Sequence, residues 1–273
     1  MNLPRPTVRF ALMSLALGGS LWAGAAPADV AAGQAAFKAK DYGRAGQEFR
    51  GPAEAGDPAA QYYLGLLNEH GWGLVPDAAK AAAWYAKSAA QGFMKAQHNL
   101  ATLLHDGRGV PRDPVAAMGW YQRAAAQGSA RAAQRVGTLL FTGDEGIERD
   151  VVAARTWWLK AWEGGEADAA YNLGIVYRRG IGVPRDPAAA AAWWEKGARA
   201  GSPLARNALG ELYLRGDGVK PDPLSAWAWF KLAADAGVAP AEQSAALIAA
   251  QFDAATMAAA EAKAAAFAAA KQP

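Results

Sequence analysis

Few side chains in this sequence have the chemistry to hold a metal or move a proton. There are three histidines, His70, His98 and His105, and no cysteine in 273 residues. The lack of Cys excludes thiol catalysis, Cys-ligated zinc, disulfide frameworks and Cys-linked lipid anchors. His98 and His105 are seven positions apart, about 10 Å along a helix. That is too far to share an ion whose ligands sit about 2 Å from it. His70 would meet either one only through a tertiary contact, so the three are read as surface histidines, and neither a metal nor a cofactor is expected. Glu145 and Glu148 pair two carboxylates but read as a solvated turn. No nucleophile elbow, phosphate-binding Gly-Lys-Ser/Thr loop or His-Glu-x-x-His helix occurs. No catalytic residue is assigned and no enzyme is expected.

Charge points away from nucleic acid. The 28 basic and 25 acidic residues leave +3 without basic blocks, a weak field for a chain of this length. Apolar residues make up 52% and charged residues 19%, as in a packed globular chain. Abundant alanine and sparse β-branched residues favour helix over strand.

The first residues read as an address. Arg5 and Arg9 precede an apolar stretch from Phe10 to Trp22, then the small residues Ala23, Gly24, Ala25 and Ala26. This order of charge, apolar core and small-residue cleavage site fits a secretory signal peptide over 1–26. The stretch is about 13 residues, short of the roughly 20 that a spanning helix needs. No paired arginines precede it, which favours general secretion. The competing reading is an uncleaved anchor. The expected location is outside the cytoplasm, in the periplasm, with membrane contact only through the transient signal peptide.

The remainder is one unit written repeatedly, the signature of a repeat architecture. Trp84, Trp120, Trp157, Trp193 and Trp229 recur at steps of 36, 37, 36 and 36, each followed by an aromatic residue: Tyr85, Tyr121, Trp158, Trp194 and Phe230. Asp77, Asp113, Asp150, Asp186 and Asp222 keep the same register, as do Gly92, Gly128, Gly165, Gly201 and Gly237. An aliphatic column, Leu64, Leu100, Val136, Leu173 and Leu209, is followed by Gly or Ala.

Each unit predicts two helices. Asp before Pro at 113–114, 186–187 and 222–223 places a capping acceptor ahead of a first-turn proline. The Gly107-Arg108-Gly109-Val110-Pro111 stretch and its copies are inter-helix turns, with the branched residue after the second Gly tucked inward. The expected units are 57–92, 93–128, 129–165, 166–201 and 202–238, preceded by a degenerate copy at 29–56. An alanine-rich capping pair is expected at 239–270, with Asp253 capping its second helix; the competing reading there is a frayed tail. One hairpin cannot bury its apolar face alone, so the copies must stack into an all-α solenoid. The five in-register tryptophans are expected in the core. Trp72, Trp162 and Trp227 lie off register and are candidates for exposure.

The pattern Ala-x-x-x-Leu-Gly, Gly-x-Gly-Val-x-x-Asp, Ala-x-x-Trp-Tyr-x-x-Ala-Ala-x-x-Gly resembles Sel1-like repeats, a branch of the tetratricopeptide-type repeats. Residues 169–201 carry it most fully, through Ala169, Leu173, Gly174, Tyr177, Gly180, Gly182, Val183, Asp186, Trp193, Trp194 and Gly201. The resemblance covers about 29–238, departing mildly at Ala101, which stands in place of the usual Gly. It implies a right-handed α/α superhelix and a role as an adaptor that assembles protein complexes. Some cysteine-rich relatives are linked to β-lactam chemistry. The paired cysteines of those relatives are missing here, so that activity does not carry over.

Related repeats bind along a concave groove, which on this sequence maps to the helix face opposite the aliphatic column. Two positions before that column stand Tyr62, His98, Gln134, Tyr171 and Asn207. Five after stand Glu69, His105, Phe141, Arg178 and Leu214; six after stand His70, Asp106, Thr142, Arg179 and Arg215. These rows vary between copies while the core columns do not. The expected partner is a protein or peptide held by this groove, with an acidic stretch favoring the end carrying Arg178, Arg179 and Arg215. The competing readings are an ordinary solvated helix face, a peptidoglycan or polysaccharide module stacking sugar on the off-register tryptophans, and a divergent cell-wall hydrolase.

Overall fold

Asp57, Asp77, Asp113, Asp150 and Asp186 each accept a hydrogen bond from the amide three residues along, at 2.8–2.9 Å. Asp222 accepts from two amides. Each carboxylate satisfies an amide that the first helical turn leaves without a partner, which stabilises a helix start by about 1 kcal/mol. These starts divide the chain into helices. The computed structural model describes residues 30–270, and the expected signal peptide at 1–26 lies outside them.

Fourteen helices follow among the described residues. A short hairpin, α1 (Val30–Lys38) and α2 (Tyr42–Glu54), comes first. Five regular hairpins succeed it: α3 (Pro58–His70) with α4 (Ala78–Ala90), α5 (Met94–Asp106) with α6 (Pro114–Ala126), α7 (Ala130–Thr142) with α8 (Val151–Glu163), α9 (Ala167–Arg179) with α10 (Pro187–Arg199), and α11 (Pro203–Arg215) with α12 (Pro223–Ala234). The chain closes with α13 (Ala239–Ala249) and α14 (Ala254–Ala269). Each helix packs on its predecessor as far as α13, and α14 folds back onto α12. First helices also meet first helices, as α9 meets α11. The result is an α/α superhelical solenoid with one wall of first helices and one of second helices.

The turns explain the paired glycines. Gly107 ends α5 in the left-handed region at φ 67, and Gly109 follows at φ 71. A Cβ on Gly109 would strike the backbone of Ala78 at the start of α4, in the preceding hairpin. The branched residue after the second Gly packs inward at Val110, Val183 and Val219, and Ile147 is 6% exposed. Leu74 departs from that expectation at 41% exposed. Leu74 instead lines an open channel beside α2, whose lining includes the bare positions Gly43 and Gly46.

Within each regular hairpin one aromatic ring of the second helix is sealed: Tyr85, Tyr121, Trp158, Trp194 and Phe230 are at most 2% exposed. The ring sits where the first helix has no side chain. A Cβ built on Gly137 would lie 2.6 Å from Trp158, and one on Gly210 would lie 2.7 Å from Phe230. Gly65 meets Tyr85 and Gly174 meets Trp194 in the same way, and Gly33 seats Phe49 in the short first hairpin. Ala101 replaces glycine in one copy, and there the ring is Tyr121, whose hydroxyl pairs with Thr102 at 2.9 Å.

The tryptophan column itself is placed differently from expectation. Trp84, Trp120, Trp157 and Trp193 are half-buried, and only Trp229 is buried. A cation three residues along covers each half-buried indole: Lys87 at 4.4 Å, Arg123 at 4.5 Å, Lys160 at 5.0 Å and Lys196 at 4.6 Å. Trp193 also meets Trp162 of the previous second helix edge-on at 6.1 Å. The column therefore works as outer mortar between hairpins. One residue is 100° of helix, so only one of two adjacent aromatics can point at the glycine.

The end pair is tied down. Lys263 of α14 donates to Asp222 at 2.5 Å, and Phe267 stacks on Trp229 at 4.3 Å. Asp253 caps α14 through the Thr256 amide. Trp227, a candidate for exposure, is 4% exposed within this closing cluster. Among the described residues no helix is long and apolar enough to cross a membrane.

Gly174→Ala forces a methyl into the Trp194 indole and lowers stability by about 1–3 kcal/mol. Gly119→Ala in α6, where a Cβ meets nothing within 4 Å, raises it by about 0.5–1 kcal/mol. Urea midpoints of the two variants check the pair; equal shifts would contradict the seat.

Candidate functional site

The wall of first helices carries the rows singled out in the sequence. Tyr62, His98, Gln134, Tyr171 and Asn207 all lie there half-buried. His98 Nδ1, Gln134 Oε1 and Asn207 Oδ1 are fully covered yet have no hydrogen-bond partner among the described residues. An unsatisfied buried polar atom costs about 1–3 kcal/mol. Three of them on one row mark a surface whose local contacts are incomplete. His98 is not the surface histidine expected. Its ring lies edge-on to Tyr121 at 5.3 Å, inside the wall.

The rows nearer the turns are engaged in joining hairpins. Glu69 accepts from the Tyr85 hydroxyl at 2.7 Å and from Arg108 at 2.9 Å. His105 lies between Asp106 at 3.0 Å and Asp144 at 3.3 Å, while Arg112 holds Asp144 at 2.6 Å. Phe141 packs against Trp158 at 5.2 Å and lies under Arg149. His70 stacks on Trp72 at 4.4 Å, and Trp72 stacks on Tyr42 at 5.0 Å, so this off-register indole is partnered within the chain. Leu214 and Thr142 are exposed.

Arg178 is not a free cation. It pairs with Asp217 at 3.2 Å and with Glu211 at 3.7 Å, and it lies over the Trp194 ring at 5.7 Å. Its charge is answered within the repeat interface, so reversing it disturbs packing as well as any ligand contact. Arg179 and Arg215 are exposed at the ends of α9 and α11.

The open space on this wall centres on α7. A cleft of about 430 Å³ between α7 and α9 is lined by Arg131, Gln134, Arg135, Thr138, Glu166 and Asp168. A second of about 200 Å³ runs from Arg131 past His98 to Tyr62. A third of about 140 Å³ runs from Arg135 and Thr138 to His105 and Asp144. The shared lining residues make these one trough across α3, α5, α7 and α9. Arg131 and Arg135 stand outside the rows read from the sequence. The signal that finds them is their stripe: 131, 134, 135 and 138 follow the i, i+3, i+4, i+7 spacing of one helix face.

Electrostatics agree with this placement. Burial lowers the His98 pKa from the ordinary histidine value to about 4, and the charges of Arg131 and Arg135 push it the same way. His98 is neutral at physiological pH. The unfolded chain takes up a proton below about 6.5 while the folded chain refuses it until about 4. Stability contributed by neutral His98 is thus complete above pH 6.5 and is lost as pH falls toward 4.

No group of three or more His, Asp or Glu side chains suited to a metal lies among the described residues. The arrangement offers recognition: two guanidinium groups, two carboxylates, amide acceptors and aromatic edges along an open trough. Deeper in the wall, Gln61 donates to the Ala53 carbonyl at 3.0 Å and accepts from Gln91 at 2.9 Å. Gln127 repeats the bond onto Gln97 at 2.8 Å. The buried Gln61 and Gln97 are thus engaged within their own hairpins.

Comparison with known proteins gives a consistent result. The Sel1 repeat matches residues 58–93, 95–129, 130–166, 167–202 and 203–238. The crystal structure of a Sel1 repeat protein from Oxalobacter formigenes is 33% identical, with a TM-score of 0.75 over 81% of this chain and 87% of that one. A protective antigen of uropathogenic Escherichia coli strains displaying an SLR fold is 24% identical, with a TM-score of 0.53 over 89% of this chain and 62% of that one. The second likeness concerns the fold alone. No curated protein matches the chain in sequence.

Nuclear magnetic resonance of the His98 ring is expected to show no titration between pH 8 and 5, with protonation near 4. Arg135→Ala raises that midpoint. His98→Gln removes an acid-side loss of stability on the order of 2 kcal/mol between pH 6.5 and 4, after allowance for the half-exposed ring. A midpoint near 6.5 would place the ring in solvent and contradict the packing described.

Proposed function

Since the chain belongs to the Sel1 repeat family, whose members generally mediate protein–protein interaction, we propose that it is an exported, non-catalytic scaffold of the bacterial cell envelope that captures a protein partner on its wall of first helices. One contrast carries this reading. The buried columns repeat from copy to copy, whereas the trough-lining residues differ, and two covered polar atoms there, His98 Nδ1 and Gln134 Oε1, have no partner among the described residues. Packing fixes the first set, and a bound chain would give purpose to the second. An extended segment or a helix laid in the groove is the mode that suits an open, multi-helix trough. Export is supported by the sequence of residues 1–26 and by the lack of thiols, which suits an oxidising compartment.

The polysaccharide reading loses its main support, because Trp227 is buried and Trp72 and Trp162 are engaged by neighbouring rings.

A photo-crosslinking residue at Tyr171, placed in the full-length chain and activated in cells, is the test. The expected result is a discrete crosslinked protein recovered from the periplasmic fraction, with the scaffold beginning at Pro27. A scaffold retained in the cytoplasm, or crosslinks that appear equally from the outer position Lys87, would refute the proposal.

A further inference from the structure

Within the trough, opposite charges face each other without meeting. Arg131 and Arg135 stand one turn apart on α7, both exposed, and neither forms an ion pair among the described residues. Glu166 and Asp168 line the same cleft from the start of α9. Glu166 precedes the helix without capping it, so its carboxylate is not spent on the backbone. Asp168 accepts one bond from the Ser202 hydroxyl at 2.5 Å and retains acceptor capacity. Elsewhere on the molecule arginines close on their carboxylates: Arg112 on Asp144 at 2.6 Å, Arg108 on Glu69 at 2.9 Å and Arg185 on Asp217 at 2.9 Å. In the α7–α9 cleft both signs line one open space of about 430 Å³ without forming an ion pair among the described residues. Gln134 stands between the two arginines on the same face of α7, its covered Oε1 without a hydrogen-bond partner among the described residues.

A purely acidic ligand would meet the guanidinium groups but be repelled by Glu166 and Asp168, and a purely basic one would suffer the reverse. Resting on the reading that this wall binds a protein, we propose that the α7–α9 cleft receives an extended peptide segment of mixed charge, whose carboxylate lies on Arg131 and Arg135 and whose ammonium or guanidinium lies on Glu166 and Asp168. Paired guanidinium groups suit a carboxylate because they can meet both of its oxygens. An extended backbone advances about 3.4 Å per residue, so acid and base one or two residues apart reach opposite walls of the cleft.

The test uses the chain without residues 1–26 and four fluorescein-labelled acetylated hexapeptides of equal length. One alternates Glu and Lys between serines; the others replace the charged positions with Glu only, Lys only or Gln only. Fluorescence anisotropy in 50 mM salt is expected to show the alternating peptide bound at least about tenfold more tightly than any other, weakening as salt screens the contacts. Arg131→Glu with Arg135→Glu is expected to lose that preference, and Glu166→Lys to shift it toward the all-Glu peptide. Arg123→Glu on the outer wall serves as a control with unchanged binding, and circular dichroism melts verify that each variant folds. Tightest binding of a single-sign peptide, capture of a soluble anionic polysaccharide in preference to all peptides, or indifference to Arg131→Glu with Arg135→Glu each overturns the proposal. If no hexapeptide binds while Tyr171 still crosslinks a protein in cells, this inference fails and the scaffold reading stands; if neither occurs, both fail.

Discussion

In every regular hairpin but the one with Ala101, a large aromatic ring on the second helix occupies space that a side chain on the first helix would fill. This steric requirement sets the distance and rotation of the two helices in a hairpin, and the rest of the solenoid inherits its register. Trp158 over Gly137, Trp194 over Gly174 and Phe230 over Gly210 are three instances of one contact. Close-packed interiors respond to a change of a single methyl group. Glycine inside a helix costs about 1 kcal/mol relative to alanine, so repeated glycines at these mid-helix positions reflect packing. Trp194 adds a polar latch, donating its indole N–H to the Tyr171 carbonyl at 2.9 Å.

Sealing the rings inside the hairpin divides the remaining surfaces. Second helices use half-buried tryptophans under Lys or Arg to join one hairpin to the next on the outside. First helices bury their alanines and leucines and turn the opposite stripe to the trough. Ion pairs spanning about one repeat, such as Arg108 with Glu69 and Arg178 with Asp217, fasten the wall near its turns. Among the described residues, Arg131 and Arg135 in the middle of that wall join no such ion pair. Structure and recognition are thus separated by helix face, which allows the trough to differ between copies without disturbing the stack.

Much of this was legible in the sequence because periodicity is a direct image of packing. The recurring Asp and Gly marked helix starts and turns, and the aliphatic column marked the buried face of the first helices. Adjacent aromatics were harder. Trp193 and Trp194 have similar hydrophobicity, and which one is sealed depends on a rotation of 100° relative to a glycine twenty positions earlier. Pairings between distant residues were not legible either. Nothing local to Arg178 announces Asp217, and nothing local to Trp227 announces the helices that cover it. Arg131 and Arg135 escaped because one row of a helix face is narrower than the stripe that lines a cleft.

The claim that the aromatic and the glycine form one unit is tested most directly by a double-mutant cycle on Gly210→Ala and Phe230→Leu, measured by urea unfolding. If the methyl and the ring compete for the same space, Phe230→Leu costs less in the Gly210→Ala background than alone, with a coupling of about 1 kcal/mol or more. Losses that add to within about 0.3 kcal/mol would mean that the ring and the bare helix position are neighbours without being a joint.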